Sequence, residues 1–436
     1  MTAATPAKSA PPEAEQQFDV GSTDDSLERM IELFARHGDT YRVFVPVRRS
    51  YTYVVHHPDD IKRVLVSNHR NYTKGAGIDR IKLLLGRGIM TSEGELWTRQ
   101  RYMMQPFFHR RVISEFASII AVANDRFIAR WDTLAGRGEP INLTEEMSEL
   151  TLEIVLRSII GRDLDRLTQQ LGSNPFSVVT KEPARDLQFV YTFRSLSKVL
   201  VELIARRRAE PEEHFDYVAM LMSARDKESG APMSERELID EVFTLIVAGH
   251  ETTASGLNWT WYLLSQHPQV EALLHAEIDA APDLPVPSLQ QMEAFKYIRQ
   301  VVDETLRLYP PGWVLSRRTI EADTLGGYPV AAGTNVLLPL YLLHRHPKFW
   351  QAPEQFSPER FAPEHEAQRP RFAYMPFAAG PRHCIGETFA LYEMLVHLYK
   401  VARRYRLVHV PDRPLELEAQ INLRSRYPLH MRLKAR

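Results

Sequence analysis

From Ser234 to His267 nothing in the sequence stops a helix. Ser234, followed three residues later by Glu237, has the form of a capping box, in which hydroxyl and carboxylate each serve an amide that the first turn leaves unpaired. His267-Pro268 marks the other end, because proline lacks an amide hydrogen and crowds the preceding turn. More than 30 residues lie between them, roughly 45–50 Å at 1.5 Å per residue. That is long enough to cross a whole domain, so the rest of the chain must pack around this rod. Its middle, Ile246–Gly256, is largely apolar and small and is expected to be buried. Glu251 within it is costly unless it is paired or functional.

Helical periodicity also covers about Glu95–Arg208, Met233–Pro310 and a final segment from about Ile385 to Arg404. β signals are fewer. Tyr41, Val43 and Val45, then Tyr51, Tyr53 and Val55, alternate around a turn at Pro46–Ser50 and predict a hairpin. Thr334–Leu343 reads as a strand, Leu415–Leu433 as extended, and Pro347–Phe377 as a proline- and aromatic-rich connection. The fold class is therefore mainly α with a minor β part. No clean cut divides it, so residues 18–436 are expected to form a single domain behind a disordered tail, 1–17, rich in Ala, Pro and Glu.

A formal net charge of −1 gives no reason to expect a nucleic-acid or membrane-surface partner. There is no apolar run long enough for a membrane span and no secretion signal. With 1 cysteine in the chain no internal disulfide can form, and the expected compartment is the reducing cytoplasm. The same count excludes cysteine-cluster zinc and multi-cysteine iron–sulfur sites.

That cysteine, Cys384, lies in Phe377-Ala378-Ala379-Gly380-Pro381-Arg382-His383-Cys384-Ile385-Gly386. A glycine- and proline-bearing loop delivers it to the start of an apolar helix. There amide groups and the helix dipole favour the thiolate, which is the metal-ligating form. Taken by itself the segment suits a catalytic thiol or a haem thiolate. A nucleophile needs a histidine base beside it, and His383, adjacent in sequence, normally points away.

The segment resembles the haem-binding loop of the cytochrome P450 superfamily, Phe-x-x-Gly-x-Arg-x-Cys-x-Gly, at Phe377, Gly380, Arg382, Cys384 and Gly386. Ala378 stands where a second glycine is common. Further motifs follow the same order. Ala248-Gly249-His250-Glu251-Thr252-Thr253 resembles the oxygen-activating motif of the family's long central helix. Its glycine and small residue would let the helix open over the iron, and its carboxylate and hydroxyl would deliver protons. Glu304-Thr305-Leu306-Arg307 resembles the Glu-x-x-Arg ion pair, completed by Arg360, and is read as structural. Trp97-Thr98-Arg99-Gln100-Arg101 is similar to Trp-x-x-x-Arg, where both side chains hold a haem propionate. Arg317 resembles the other propionate ligand, with Arg318, on the opposite strand face, second. Standing alone, the Glu-x-x-Arg and Trp-x-x-x-Arg pairs would be ordinary helix surfaces.

The resemblance implies the P450 fold, a helical haem domain with small β-sheets in a triangular prism, and haem b (iron protoporphyrin IX) with Cys384 thiolate as axial ligand. Gly249, Phe377, Arg382 and Gly386 would line the cofactor, while Glu251 and Thr252 would be catalytic. It implies O₂ activation with two electrons from a separate ferredoxin or flavodoxin and its reductase, since no flavin or ferredoxin domain is visible. Arg99, Arg110 and Arg111 are a candidate docking patch for that donor. The segments resembling pocket walls, Ile78–Ile89, Leu245–Gly249, Trp313–Leu315 and Ile421–Leu423, are mostly apolar and predict a small hydrophobic or amphipathic substrate. The stretch from Gly161 to Leu200, broken at Pro175 and Pro183, is short for the two helices and loop expected to roof the site. A short roof is compatible with a bulky or carrier-tethered substrate. A cytoplasmic monomer performing C–H hydroxylation, in secondary metabolism, is the expectation. Epoxidation, oxidative coupling and peroxide-driven oxidation are nearer rivals than a haem sensor or carrier. His56-His57 and His344-Arg345-His346 are read as solvated loop residues, not metal ligands.

Overall fold

The computed structural model describes residues 9–15, 19, 25–181, 187–210 and 212–436. In chain order its principal elements are α1 (Ser26–His37), β1 (Thr40–Val45), β2 (Ser50–Val55), β3 (Tyr72–Lys74), α2 (Ile78–Leu85), α3 (Gly94–Met104), α4 (Ala117–Ala135), α5 (Leu143–Ile160), α6 (Leu187–Ser195), α7 (Glu235–Gln266), α8 (Lys296–Leu308), β4 (Leu315–Thr319), β5 (Asn335–Leu338) and α9 (Glu387–Arg404). They sort into two compact units. One is Met1–Asp79, Asp303–Cys384 and Leu415–Arg426; the other is Arg80–Val302, Ile385–Pro414 and Tyr427–Arg436.

The first unit is built on a sheet of order β1-β2-β5-β4-β3. The hairpin forms as its alternation predicts, antiparallel from Thr40↔Val55 to Val45↔Ser50. Tyr41, Val43 and Val45 point inward and are buried. Of the stretch Thr334–Leu343 only β5 is strand; Pro339 cannot extend the ladder, and Leu340–Leu343 makes a helical turn. Trp313 and Leu423, expected in pocket walls, are instead buried in the core cluster with Tyr41, Val43 and Leu337. The indole of Trp313 donates to the Gln420 carbonyl at 2.9 Å, which locks it there. Within the stretch expected as a tail, Arg42 of β1 donates to the Pro12 carbonyl and accepts from the Ala14 amide, both at 2.9 Å. Residues 1–8, 16 and 17 of that stretch lie outside the described residues.

Of the histidines read as solvated, His57 is partly exposed, but the other three are not. His56, His344 and His346 are all buried. His56 packs its ring on Phe34 and Tyr41, and His346 Nε2 meets Asp39 at 2.9 Å. Among the described residues no cluster of three or more His, Cys, Asp or Glu could hold a metal ion.

The second unit packs around α7, which runs 32 residues from the predicted capping box at Ser234 and Glu237. Trp261 on α7 donates to His397 Nε2 of α9 at 2.9 Å, and His397 Nδ1 meets Asn124 of α4 at 2.7 Å. One imidazole thus ties three helices through buried groups that could find no water. The short stretch after Gly161 is largely helical (Asp163–Leu171, Val178–Lys181 and α6). Pro175 begins a single turn rather than a break, and Pro183 lies outside the described residues. Phe176, Phe189 and Phe193 are buried there, and Phe193 lies 4.7 Å, ring to ring, from Phe243 of α7. No described helix is long and apolar enough to cross a membrane.

Candidate active site

In the first unit Phe377, Arg382 and Cys384 share one tight loop. The Phe377 carbonyl accepts from the Cys384 amide at 3.0 Å, and the Gly380 carbonyl accepts from the His383 amide at 3.0 Å. Gly380 turns with φ 73°, and a Cβ on it would overlap the Leu65 carbonyl. Ala378, where glycine is common, sits at φ 62°, a left-handed conformation that costs a side-chain-bearing residue about 1–2 kcal/mol. Cys384 itself is exposed.

The same unit holds the ion pair. Glu304 and Arg307 have 0% exposure and meet twice, at 2.6 and 2.8 Å. Arg307 also donates to the carbonyls of His344, Pro353 and Gln355, so its fork is fully used. Arg360 joins Glu304 at 3.4 Å. From His344 the network continues, because its Nε2 accepts from the Met375 amide at 3.0 Å, two residues before Phe377. The sequence reading missed His344, whose only signal was its place after an apolar run. Arg317 on β4 is buried and Arg318 exposed, as strand alternation requires.

In the second unit Trp97 and Arg101 are half-buried on α3. Gly386 is the N-cap of α9, with open space where a side chain would be. On α7 the middle is not wholly buried as expected. Ala248 is exposed, and Gly249, Glu251 and Thr252 are partly so, between buried Ile246 and Thr253. The Thr252 hydroxyl donates to the Ala248 carbonyl at 2.7 Å. Gly249 has a packing reason, since a Cβ there would lie 2.7 Å from Val155 of α5. The helix stays unbroken through the motif. In the candidate docking patch Arg99 is drawn onto Glu237 at 2.6 Å and Arg110 is paired with Glu293. Arg99 keeps 27% of its side chain exposed beside that ion pair.

In the first unit the exposed Cys384 thiol, on a loop held by its own amide-to-carbonyl bonds, has the chemistry of a metal ligand. In the second, Ala248, Gly249, Glu251 and Thr252 of α7 are exposed or partly so. Comparison with known proteins agrees. A cytochrome P450 family profile matches residues 12–427. The chain is 31% identical to cyclooctat-9-en-7-ol 5-monooxygenase of Streptomyces melanosporofaciens, over 94% of each chain. It is also 31% identical to Protein LUTEIN DEFICIENT 5, chloroplastic, of Arabidopsis thaliana, over 92% of this chain and 73% of that one. With pentalenene oxygenase of Streptomyces avermitilis it shares 28% identity over 92% and 91%. Among crystal structures, cytochrome P450 CYP102L1 superposes with a TM-score of 0.87 at 24% identity, covering 99% and 100% of the two chains. The cytochrome P450DA heme domain gives 0.84 at 22%, covering 98% and 97%. The chain belongs to the cytochrome P450 family. It is a monooxygenase with that family's fold, and membership implies a haem-thiolate cofactor.

Proposed function

We propose that the chain holds haem b through the Cys384 thiolate and inserts one oxygen atom of O₂ into a C–H bond of a hydrophobic or amphipathic small molecule. The observation that carries this is the exposed Cys384 at the end of a loop held by its own amide-to-carbonyl bonds. Trp97, Arg101 and Arg317 would hold the haem carboxylates, and Phe377, Arg382 and Gly386 would bound the cofactor on the cysteine side. When bound, the haem supplies reductive activation of O₂.

The chain's own residues supply the rest. Ala248 and Gly249 keep the middle of α7 slim. Thr252 Oγ1 holds a proton that it now shares with the Ala248 carbonyl, and Glu251, one residue away, is the acid that would resupply it. Electrons would come from a separate ferredoxin or flavodoxin and its reductase. The names of two relatives, a cyclooctat-9-en-7-ol monooxygenase and a pentalenene oxygenase, support a largely hydrocarbon substrate in secondary metabolism. The enzyme in this reading is a cytoplasmic monomer.

The test is the carbon monoxide spectrum of reduced protein. A strongly red-shifted Soret band in the wild type, lost in Cys384→Ser, is expected; a histidine-like spectrum in folded wild type would overturn the assignment of Cys384. Thr252→Ala is expected to keep that band but to consume reductant without matching product. Unchanged coupling would remove Thr252 from proton delivery.

A further inference from the structure

The first turns of α7 carry acids at 237, 240 and 241, and each is engaged with the chain leading into α3 or with α3 itself. Glu237 takes a forked pair of hydrogen bonds from Arg99, at 2.6 and 3.3 Å. Asp240 is 2% exposed and accepts from the Arg87 amide at 2.9 Å and from Arg194 of α6 at 3.1 Å. Glu241 is 0% exposed and accepts from the Ile89 amide at 3.0 Å. The loop is shaped to this seat. Gly86 turns with φ 65°, and a Cβ there would overlap the Asp240 carboxylate, while one on Gly88 would overlap the Thr244 hydroxyl. Gln100 of α3, also buried, closes the fastening. Its Nε2 donates to the Arg87 carbonyl at 2.8 Å, and its Oε1 accepts from the Ser92 hydroxyl at 2.6 Å.

Two adjacent buried acids are a costly way to hold a loop. Asp240 is offset by Arg194. Glu241 is not, because the charged groups around it are Asp240 and Glu237 on its own helix, with Arg99 and Arg194 already spent on those two and Arg87 engaged through its backbone. Burial, with those two acids beside it, pushes the Glu241 carboxyl up to about 8, so it sits as the neutral acid at neutral pH.

We propose that Asp240 and Glu241 are positioning residues that fasten the 86–92 loop to α7 and thereby fix the seat of α3, the helix of Trp97 and Arg101. This rests on the reading that Trp97 and Arg101 hold the haem carboxylates. Arg101 directly follows Gln100, so a loosened loop is felt at once by that arginine.

The experiment is haem transfer from the holoenzyme to excess apomyoglobin. Glu241→Ala and Asp240→Ala should release haem faster, on the order of ten-fold, as for a buried amide left unpaired. Glu241→Gln, whose side-chain oxygen still accepts from Ile89, should release at the wild-type rate. Glu241→Ala combined with Arg101→Ala should release haem more slowly than the product of the two single effects, because both act through α3. Should the alanine variants fail to fold, the wild type still decides: its release should quicken as pH rises through about 8, where a third charge would force the loop open, and Glu241→Gln should stay flat. Unchanged release in both alanine variants, an additive double variant, or equal pH profiles would each overturn the proposal. If Arg101→Ala leaves release unchanged, the propionate reading has failed instead. Amide exchange in Glu241→Ala then decides the fastening: spread over residues 86–104 supports it, and confinement to Ile89 overturns it.

Discussion

His344 takes a hydrogen bond at Nε2 from the amide of Met375 and has 0% exposure, so a proton there would cost both the bond and the desolvation of a charge. Burial, with Arg307 and Arg345 nearby, holds its pKa down to about 3 from the usual 6.5. His56 and His397 are depressed as far by burial. In the unfolded chain these imidazoles take up protons near 6.5, while folded they resist until about 3. Their stabilising effect is therefore full above 6.5 and is lost progressively as pH falls toward 3. His344→Gln keeps an acceptor for Met375 but cannot titrate. Its melting temperature is expected to fall less steeply than the wild type's between those two pH values, and equal slopes would show that His344 titrates normally. This role was not legible beforehand, because a histidine between an apolar run and a proline reads equally well as solvated; only its tertiary neighbours bury it.

At the level of elements, the capping box at Ser234 and the proline after His267 marked both ends of α7, and the structure places them there. Local chemistry sufficed because the partners are three residues apart. The openness of the helix centre was not legible. The apolar, small run Ile246–Gly256 predicts burial; Ile246 and Thr253–Gly256 are buried, Gly249 approaches Val155 of α5, and Ala248 is exposed. Gly249→Ala should therefore act as a packing variant. With Val155 Cγ2 only 2.7 Å from the added carbon, a destabilisation of about 1–3 kcal/mol is expected by denaturant unfolding. Val155→Ala in the same chain should recover most of it, and failure to recover would mean that the clash lies elsewhere.

At the scale of the molecule, the buried pair Glu304–Arg307 joins several stretches of chain. Arg307 serves Glu304 and three carbonyls, and through His344 it reaches the amide two residues ahead of Phe377. Arg307→Ala takes from the buried Glu304 carboxylate its closest cation, leaving it Arg360 at 3.4 Å and the Ser357 amide at 2.9 Å, at a cost of about 3–5 kcal/mol. Loss of folded, haem-loaded protein is expected, measured as yield and denaturation midpoint. Arg307→Lys should rescue little, because an ammonium cannot reproduce a planar fork shared among four residues. A midpoint within error of the wild type in either variant would show that the pair is dispensable. Each compact unit draws on three stretches of the chain, so we propose that residues 18–436 form one domain, since no single cut frees either unit.

What the sequence by itself determined was whatever depends on neighbours in the chain: the hairpin alternation, the ends of α7, and the spaced motifs around Cys384, Thr252, Arg307 and Trp97 that identified the family. What only the tertiary structure decided depends on partners far apart in the chain. The ion pair of Arg99 with Glu237, 138 residues on, could not be read from the sequence. Trp313 could line a pocket until the Gln420 carbonyl, 107 residues away, fixed its indole in a core. Asp240 and Glu241 take their hydrogen bonds from the Arg87 and Ile89 amides, about 150 residues earlier in the chain, as only the fold brings about. Hydrogen bonds and burial act over a few ångströms, and sequence alone does not report which distant residues the fold will bring that close.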